Sequence, residues 1–347
     1  MEILFALLAI LVGGAIMLGG GEVLVRGASR GALLFGIPPL IIGLTIVAVC
    51  TSAPELTVSL MGCFREGGSP EIAVGNIVGS NICNILLILG FAAVIRPITV
   101  SVQLIRNEIP FLVLISGLFW IIGWFTVGGS ASEHFFPRWG GAVFLVLLVL
   151  YMIWAIRTVR KEENKPVADN LCEKKISLPS SPDEPAPAKN IFKESLISLV
   201  CIALGLGMLI FGSEWFIDGA IKIATAVGVS KLVISLTVLA VGTSLPELVV
   251  SAVAAFKGNT DIAIGNVVGS NIFNLLGILG LTSLLVPGGL ALSHQAFVFD
   301  IPIMILVAGI GGYLCITDQK LTRIEGILLL LGYAGYVVFL LLHGQTA

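Results

Sequence analysis

The sequence predicts an all-α integral membrane protein of ten transmembrane helices, arranged as two inverted-topology five-helix repeats. Three observations lead there. Hydrophobic residues make up 57% of the 347 residues and charged residues only 12%, with a mean hydropathy of +1.06, whereas soluble domains run about 45–50% apolar and about 25% charged. The apolar residues gather into ten stretches, and the second five copy the first. This composition disfavours a disordered chain, a secreted disulfide scaffold and a basic nucleic-acid binder. The net charge of −2 implies no polyelectrolyte partner. The six cysteines sit mostly inside apolar runs and read as small buried hydrophobes.

The stretches are 3–20, 37–62, 72–95, 109–127 and 140–156, then 195–217, 232–256, 262–286, 296–316 and 324–342. Each is near the ~20 residues that a bilayer-spanning helix needs. The first begins Met1-Glu2 with no basic n-region and no A-x-A cleavage pattern, so it reads as a span and not a signal peptide. Between the fifth and sixth lies Arg157–Lys193, which holds 14 of the 40 charged residues and five prolines. Such a segment has too little apolar surface to pack and reads as a polar loop. The expected organisation is therefore a first repeat over 1–156, a linker over 157–193 and a second repeat over 194–347. Lys and Arg favour the cytoplasmic side of membrane proteins, so the basic linker is expected inside and both termini outside. Arg26, Arg30, Arg96, Arg106, Lys257, Lys320 and Arg323 then fall inside, against Arg65, Arg138, Lys222 and Lys231 outside.

The copying is strongest in two places. Gly43–Ser59 and Ser235–Ser251 share 11 of 17 residues at an offset of 192, and Ala73–Gly90 and Ala263–Gly280 share 13 of 18 at an offset of 190. A unit with an odd number of spans enters the membrane inverted when it is repeated in one chain. Inverted repeats of this kind are typical of secondary transporters, with the binding site near the bilayer midplane where the repeats meet.

Glu55 and Glu247 each lie in a span with no basic residue at similar depth. A carboxylate at the bilayer centre costs about 2.5–3.5 kcal/mol on insertion scales, and two repeat-related ones without basic partners point to a cation. Each follows a proline, which removes a helix donor and releases a carbonyl four residues back, at Cys50 and Gly242. Thr51, Glu55 and Ser59 share a helical face, as do Thr243, Glu247 and Ser251, with Ser52 and Ser244 beside them. Asn76, Ser80 and Asn84 repeat as Asn266, Ser270 and Asn274. Among these, Ser80, Asn84, Ser270 and Asn274 are candidate ligands, while Asn76, Asn81, Asn266 and Asn271 read as polar glue between helices. All are oxygen donors, which suit a hard cation. Two ionised glutamates balance one Ca²⁺, two protons or sodium ions, and a site that holds one set or the other can exchange them.

The duplicated patterns G-x-x-x-x-A-x-x-T-S-x-P-E-L and G-N-x-x-G-S-N-I-x-N resemble the two α-repeats of the calcium/cation antiporter superfamily, most closely the prokaryotic sodium/calcium exchangers. The resemblance covers all ten spans. It implies Ca²⁺/Na⁺ antiport by alternating access in a prokaryotic inner membrane. It makes Glu55 and Glu247 the central Ca²⁺ ligands, has Thr51, Ser52, Thr243 and Ser244 line the ion sites, adds Ser80 and Ser270 as sodium ligands, and uses the carbonyls of Ala48 and Ala240. Some exchangers carry Asp at one of the positions of Asn84 and Asn274; here both are Asn, as in some proton/calcium exchangers, so an H⁺/Ca²⁺ exchanger is the alternative. No cofactor is expected, and no partner beyond the bilayer and the transported ions. A cation channel and an intramembrane enzyme are the rival classes. No His stands near Ser52 or Ser244 to activate a nucleophile, and no Walker A motif supports ATP-driven pumping.

Glu22 and Glu214 read as interfacial. Glu108 and Asp300, each two residues before a proline, read as helix-capping residues.

Overall fold

The computed structural model describes residues 2–64, 69–126, 134–163, 191–226, 240–317 and 319–343. The described residues form ten helical segments: α1 (Glu2–Phe35), α2 (Pro39–Phe64), α3 (Pro70–Ile95), α4 (Leu104–Phe125), α5 (Arg138–Glu163), α6 (Ile191–Ala226), α7 (Leu245–Phe256), α8 (Thr260–Leu285), α9 (Ala296–Ile316) and α10 (Arg323–His343). All but α7 are long and apolar enough to cross a membrane. A short helix, Ala240–Thr243, precedes α7; the first eight residues of the expected span 232–256 lie outside the described residues, as do 164–190 of the linker.

Burial sorts the helices. In α8 94% of the span is buried and in α3 78%, against 22% in α1 and α6 and 11% in α10. The repeat-bearing helices α3 and α8 are therefore the centre, and α1, α6 and α10 present apolar flanks.

Helix α1 is 34 residues long and α6 is 36, about 50 Å each at 1.5 Å per residue. The expected first span ended at residue 20, where hydropathy falls at a run of glycines and Glu22. The helix instead continues until Gly36 adopts φ 63°, with Ile37 N–H donating to the Ala32 carbonyl at 3.0 Å, a glycine-ended Schellman cap. The glycines serve packing. Gly13, Gly20 and Gly27 recur at seven-residue spacing, and their repeat mates are Gly205, Gly212 and Gly219. A Cβ on Gly13 would stand 2.6 Å from the Gly212 carbonyl oxygen, one on Gly205 2.7 Å from that of Gly20, and one on Gly219 2.6 Å from that of Ala6. Residue numbers rise along one helix as they fall along the other, so α1 and α6, which are repeat mates, run antiparallel in close backbone contact. At one end Arg30 pairs with Glu194, and Glu22 pairs with Arg26 at 2.7 Å and Lys257 at 2.8 Å.

Two short antiparallel strand pairs tie the repeats together. Strand β1 (Ile98–Thr99) pairs with β4 (Lys320–Leu321), and β2 (His134–Phe136) with β3 (Leu290–Leu292). Each pair joins one strand from either half.

Glu108 and Asp300 do not cap helices. Each closes a π-helical turn, Leu104–Glu108 or Ala296–Asp300, inside α4 or α9. There the Ile109 N–H reaches back five residues to the Leu104 carbonyl and the Ile301 N–H to that of Ala296, and the helix runs on through Pro110 and Pro302.

Candidate functional site

The site forms where α2 and α7 break. At Ser52 the backbone leaves helical geometry (φ −83°, ψ 9°), and at Ser244 it does the same (φ −89°, ψ 7°). The prolines two residues on suit the first turn of a new helix. Glu55 and Glu247 then stand in the first turns of the restarted helices, where the helix dipole favours a negative charge.

Each carboxylate reaches across to the other half. Ser244 Oγ donates to Glu55 Oε1 at 3.1 Å, and Ser52 Oγ donates to Glu247 Oε1 at 3.0 Å. Ser80 Oγ lies 3.5 Å from Glu55 Oε1 and 3.1 Å from Ser244 Oγ. Both glutamates are 1% exposed. Among the described residues the ion pairs are the peripheral ones of α1, and none reaches Glu55 or Glu247.

The asparagines fall into two roles, fixed by which groups can donate. Asn81 Nδ2 lies 3.4 Å from the Asn271 backbone carbonyl, and Asn271 Nδ2 lies 3.2 Å from that of Asn81. A carbonyl only accepts, so both NH₂ groups are committed there and both Oδ1 atoms must accept. Asn274 Nδ2 accordingly donates to Asn81 Oδ1 at 3.1 Å, and Asn84 Nδ2 to Asn271 Oδ1 at 2.9 Å. The amide oxygens of Asn84 and Asn274 are left over, buried and without a donor. Asn76 and Asn266 repeat the logic one turn earlier. Each donates to a glutamate backbone carbonyl and to Ser59 or Ser251, while its own oxygen accepts from Thr243 or Thr51.

Five oxygens on the repeat helices lack any hydrogen-bond partner while fully buried: Glu55 Oε2, Glu247 Oε2, Asn84 Oδ1, Asn274 Oδ1 and Ser270 Oγ. An unsatisfied buried acceptor is costly, and a buried unpaired carboxylate more so. Several together, all oxygen and two of them anionic, suit a hard cation. Of the sequence-derived set, Ser52, Glu55, Ser80, Ser244 and Glu247 are joined by hydrogen bonds; with Thr51, Asn84, Ser270 and Asn274 they are all 0–2% exposed, and Thr243 is 6% exposed. The Ala48 carbonyl already accepts the Ser52 N–H at 3.0 Å and the Thr51 hydroxyl at 3.3 Å. To serve an ion it would gain room when Thr51 donates to Asn266 instead. Ala240 begins the described part of its segment, so its contacts are not part of this picture.

Asn81 and Asn271 do more than join helices, because they fix which amide atom Asn84 and Asn274 present. Replacing either with Ala is expected to weaken ion binding by about 10–100-fold, the usual effect of removing a group that orients a ligand, with little loss of folded protein. Titration of binding in detergent checks it, and unchanged affinity would remove the orienting role.

The sodium/calcium exchanger protein family matches residues 5–157 and 197–342. The chain belongs to that family. The family antiports Ca²⁺ and Na⁺, and so does this member. Inner membrane protein YrbG of Escherichia coli is 35% identical over 315 residues, covering 90% of this chain and 89% of that protein. Sodium/calcium exchanger MaX1 of Methanosarcina acetivorans is 30% identical over 350 residues, covering 96% and 97%. Among solved structures, the sodium-calcium exchanger NCX_Mj soaked with Na⁺ and Sr²⁺ superposes with a TM-score of 0.75 at 30% identity, covering 97% of this exchanger and 99% of that chain.

Proposed function

We propose that this exchanger binds Ca²⁺ or Na⁺ in turn at the Glu55–Glu247 site and releases each to alternate faces of an inner membrane. The observation that carries the reading is the pair of buried carboxylates without a basic partner, ringed by further unpartnered oxygens. One Ca²⁺ balances both charges. Sodium ions balance them in its place, and an empty site, holding two uncompensated charges, is too costly to pass through a closed state. Emptying on one side and refilling before return is what couples the two fluxes. Glu55 and Glu247 are the shared ligands, assisted by the hydroxyls of Thr51, Ser52, Ser80, Thr243, Ser244 and Ser270, the amide oxygens of Asn84 and Asn274, and the carbonyls of Ala48 and Ala240.

The antiparallel mates α1 and α6 support the inverted arrangement of repeats 1–156 and 194–347 about the 157–193 linker. The strand pairs support ten spans. Six spans separate β1 from β4 and four separate β2 from β3 when the segment 232–256 crosses, which puts each pair on one face. Without that crossing, β1 and β4 would lie on opposite sides of the bilayer and could not pair. With the basic linker cytoplasmic, both termini lie outside.

The decisive experiment is ⁴⁵Ca²⁺ uptake into proteoliposomes under an outward Na⁺ gradient, with a proton gradient as the comparison. Uptake driven by Na⁺ and insensitive to the proton gradient is expected. Uptake driven by protons alone would replace Na⁺ as the counter-ion, and uptake without any trans gradient would make the protein a channel.

A further inference from the structure

A second acidic residue lies deep in each half, outside the exchange site. In the first half Glu108 is 0% exposed and faces Tyr151, which is 5% exposed, across the α4–α5 contact. In the second half the corresponding pair is Asp300 and Tyr336. The offsets match those of their surroundings: 192 between the acids, and 185 both between the tyrosines and between Arg138 and Arg323, where α5 and α10 begin. Each acid closes a π-helical turn, a local irregularity often found at functional positions. The duplication has thus kept an acid, a tyrosine and a distorted turn together on both sides.

The two pairs are in different states. Tyr336 donates to Asp300 Oδ1 at 3.4 Å. Neither oxygen of Glu108 has a hydrogen-bond partner, and nor does the Tyr151 hydroxyl. The Tyr151 ring is held flat against Phe111, with centroids 5.2 Å apart and planes 8° apart. Among the described residues no ion pair reaches Glu108. Tyr151 is the titratable group that acts on it. Arg106 on its own helix is exposed, and among the described residues no hydrogen bond or ion pair joins Glu108 to His134 on β2, Asp261 on α8, or Asp300 and Cys315 on α9. An ionised carboxylate with no hydrogen bond formed and no ion pair is the least favourable way to bury this group. A carboxylic acid has no net charge and supplies its own donor. Arg106 and Asn107, just before it, are exposed.

We propose that Glu108, facing the Tyr151 hydroxyl, is a proton-binding site separate from the exchange site, with the proton acting as a modulating ligand and not as cargo. Among the described residues no hydrogen bond links Glu108 or Tyr151 to Glu55, Glu247 or their partners. Binding and release of the proton act through packing, because Ile109, the next residue, lies against Gly312 of α9. Loss of the proton leaves a bare charge at the α4–α5 contact and favours whichever conformation lets water or a donor reach it.

The inference does not depend on the exchange reading, since its first test needs no transport. Infrared difference spectra of the full-length protein in lipid vesicles, wild type minus Glu108→Gln at neutral pH, are expected to contain a protonated-carboxyl band that shifts in D₂O. An ionised-carboxylate band in its place would overturn the proposal. Tyr151→Phe keeps the ring on Phe111 and is expected to move the same band; a band at an unchanged position would remove Tyr151 from the site. In the second test, wild-type Ca²⁺ uptake is expected to change by about fivefold or more from neutral to alkaline pH, the lower end of measured site-to-site couplings. Glu108→Gln, which mimics the protonated acid, should flatten that profile, and superimposable profiles would refute the modulating role.

Discussion

Glu55→Gln and Glu247→Gln should each abolish Ca²⁺ uptake while leaving the protein inserted and folded. The amide keeps the shape of the side chain and one oxygen ligand, so helix packing and the contacts of Ser244 or Ser52 survive. What is lost is one of the two charges that balance a divalent ion. Removing one partner from a buried charged set costs about 3–5 kcal/mol, which is roughly a hundredfold to several thousandfold in affinity. The two mutants should fail alike, because their environments are repeat-related. Vesicle uptake with ⁴⁵Ca²⁺, alongside size-exclusion profiles, separates this from misfolding. Near wild-type uptake by either folded mutant would move the ion elsewhere.

The second large effect is structural. Gly20→Leu or Gly205→Leu is expected to prevent α1 and α6 from packing. Even a Cβ at these positions would lie 2.9 Å from the Gly205 carbonyl or 2.7 Å from that of Gly20, and backbone atoms in a helix cannot step aside. Overpacking a tight contact costs about 1–3 kcal/mol even when neighbouring side chains can adjust; here two helices would have to separate along their length. The expected result is a sharp fall in monodisperse protein and in Tm. Gly207→Leu on the same helix is the control, since a Cβ there meets no neighbour. Equal Tm values for Gly205→Leu and Gly207→Leu would contradict the close-contact account.

The candidate site was legible because its chemistry is rare where it stands. A glutamate in an apolar span is conspicuous, and finding the same glutamate again 192 residues later, with Thr, Ser and Pro around it, leaves few explanations. The asparagine turns could be read for the same reason. Glycines carry no such signal. Gly13, Gly20 and Gly27 sit among other small residues, and their seven-residue spacing becomes meaningful only when α6 is laid antiparallel against α1. The run at Gly19–Gly21 followed by Glu22 looked like a helix end by hydropathy, although it is interior to α1. Glu108 and Asp300 were misread because a proline two residues later normally marks a helix start. Whether a π-helical turn absorbs that proline is decided by packing, which has no local pattern in the sequence.

Neither half holds all the partners of the candidate site. Glu55 is hydrogen-bonded by Ser244, Glu247 by Ser52, and the amide of Asn84 is oriented by Asn271 while that of Asn274 is oriented by Asn81. A single five-span ancestor could have built this arrangement only as a pair of identical chains inserted in opposite orientations. Such a chain would need loops whose lysines and arginines choose neither face. In one chain that requirement falls away, because joining the halves makes the orientation of the first set that of the second, and each acid, tyrosine and asparagine can diverge from its mate.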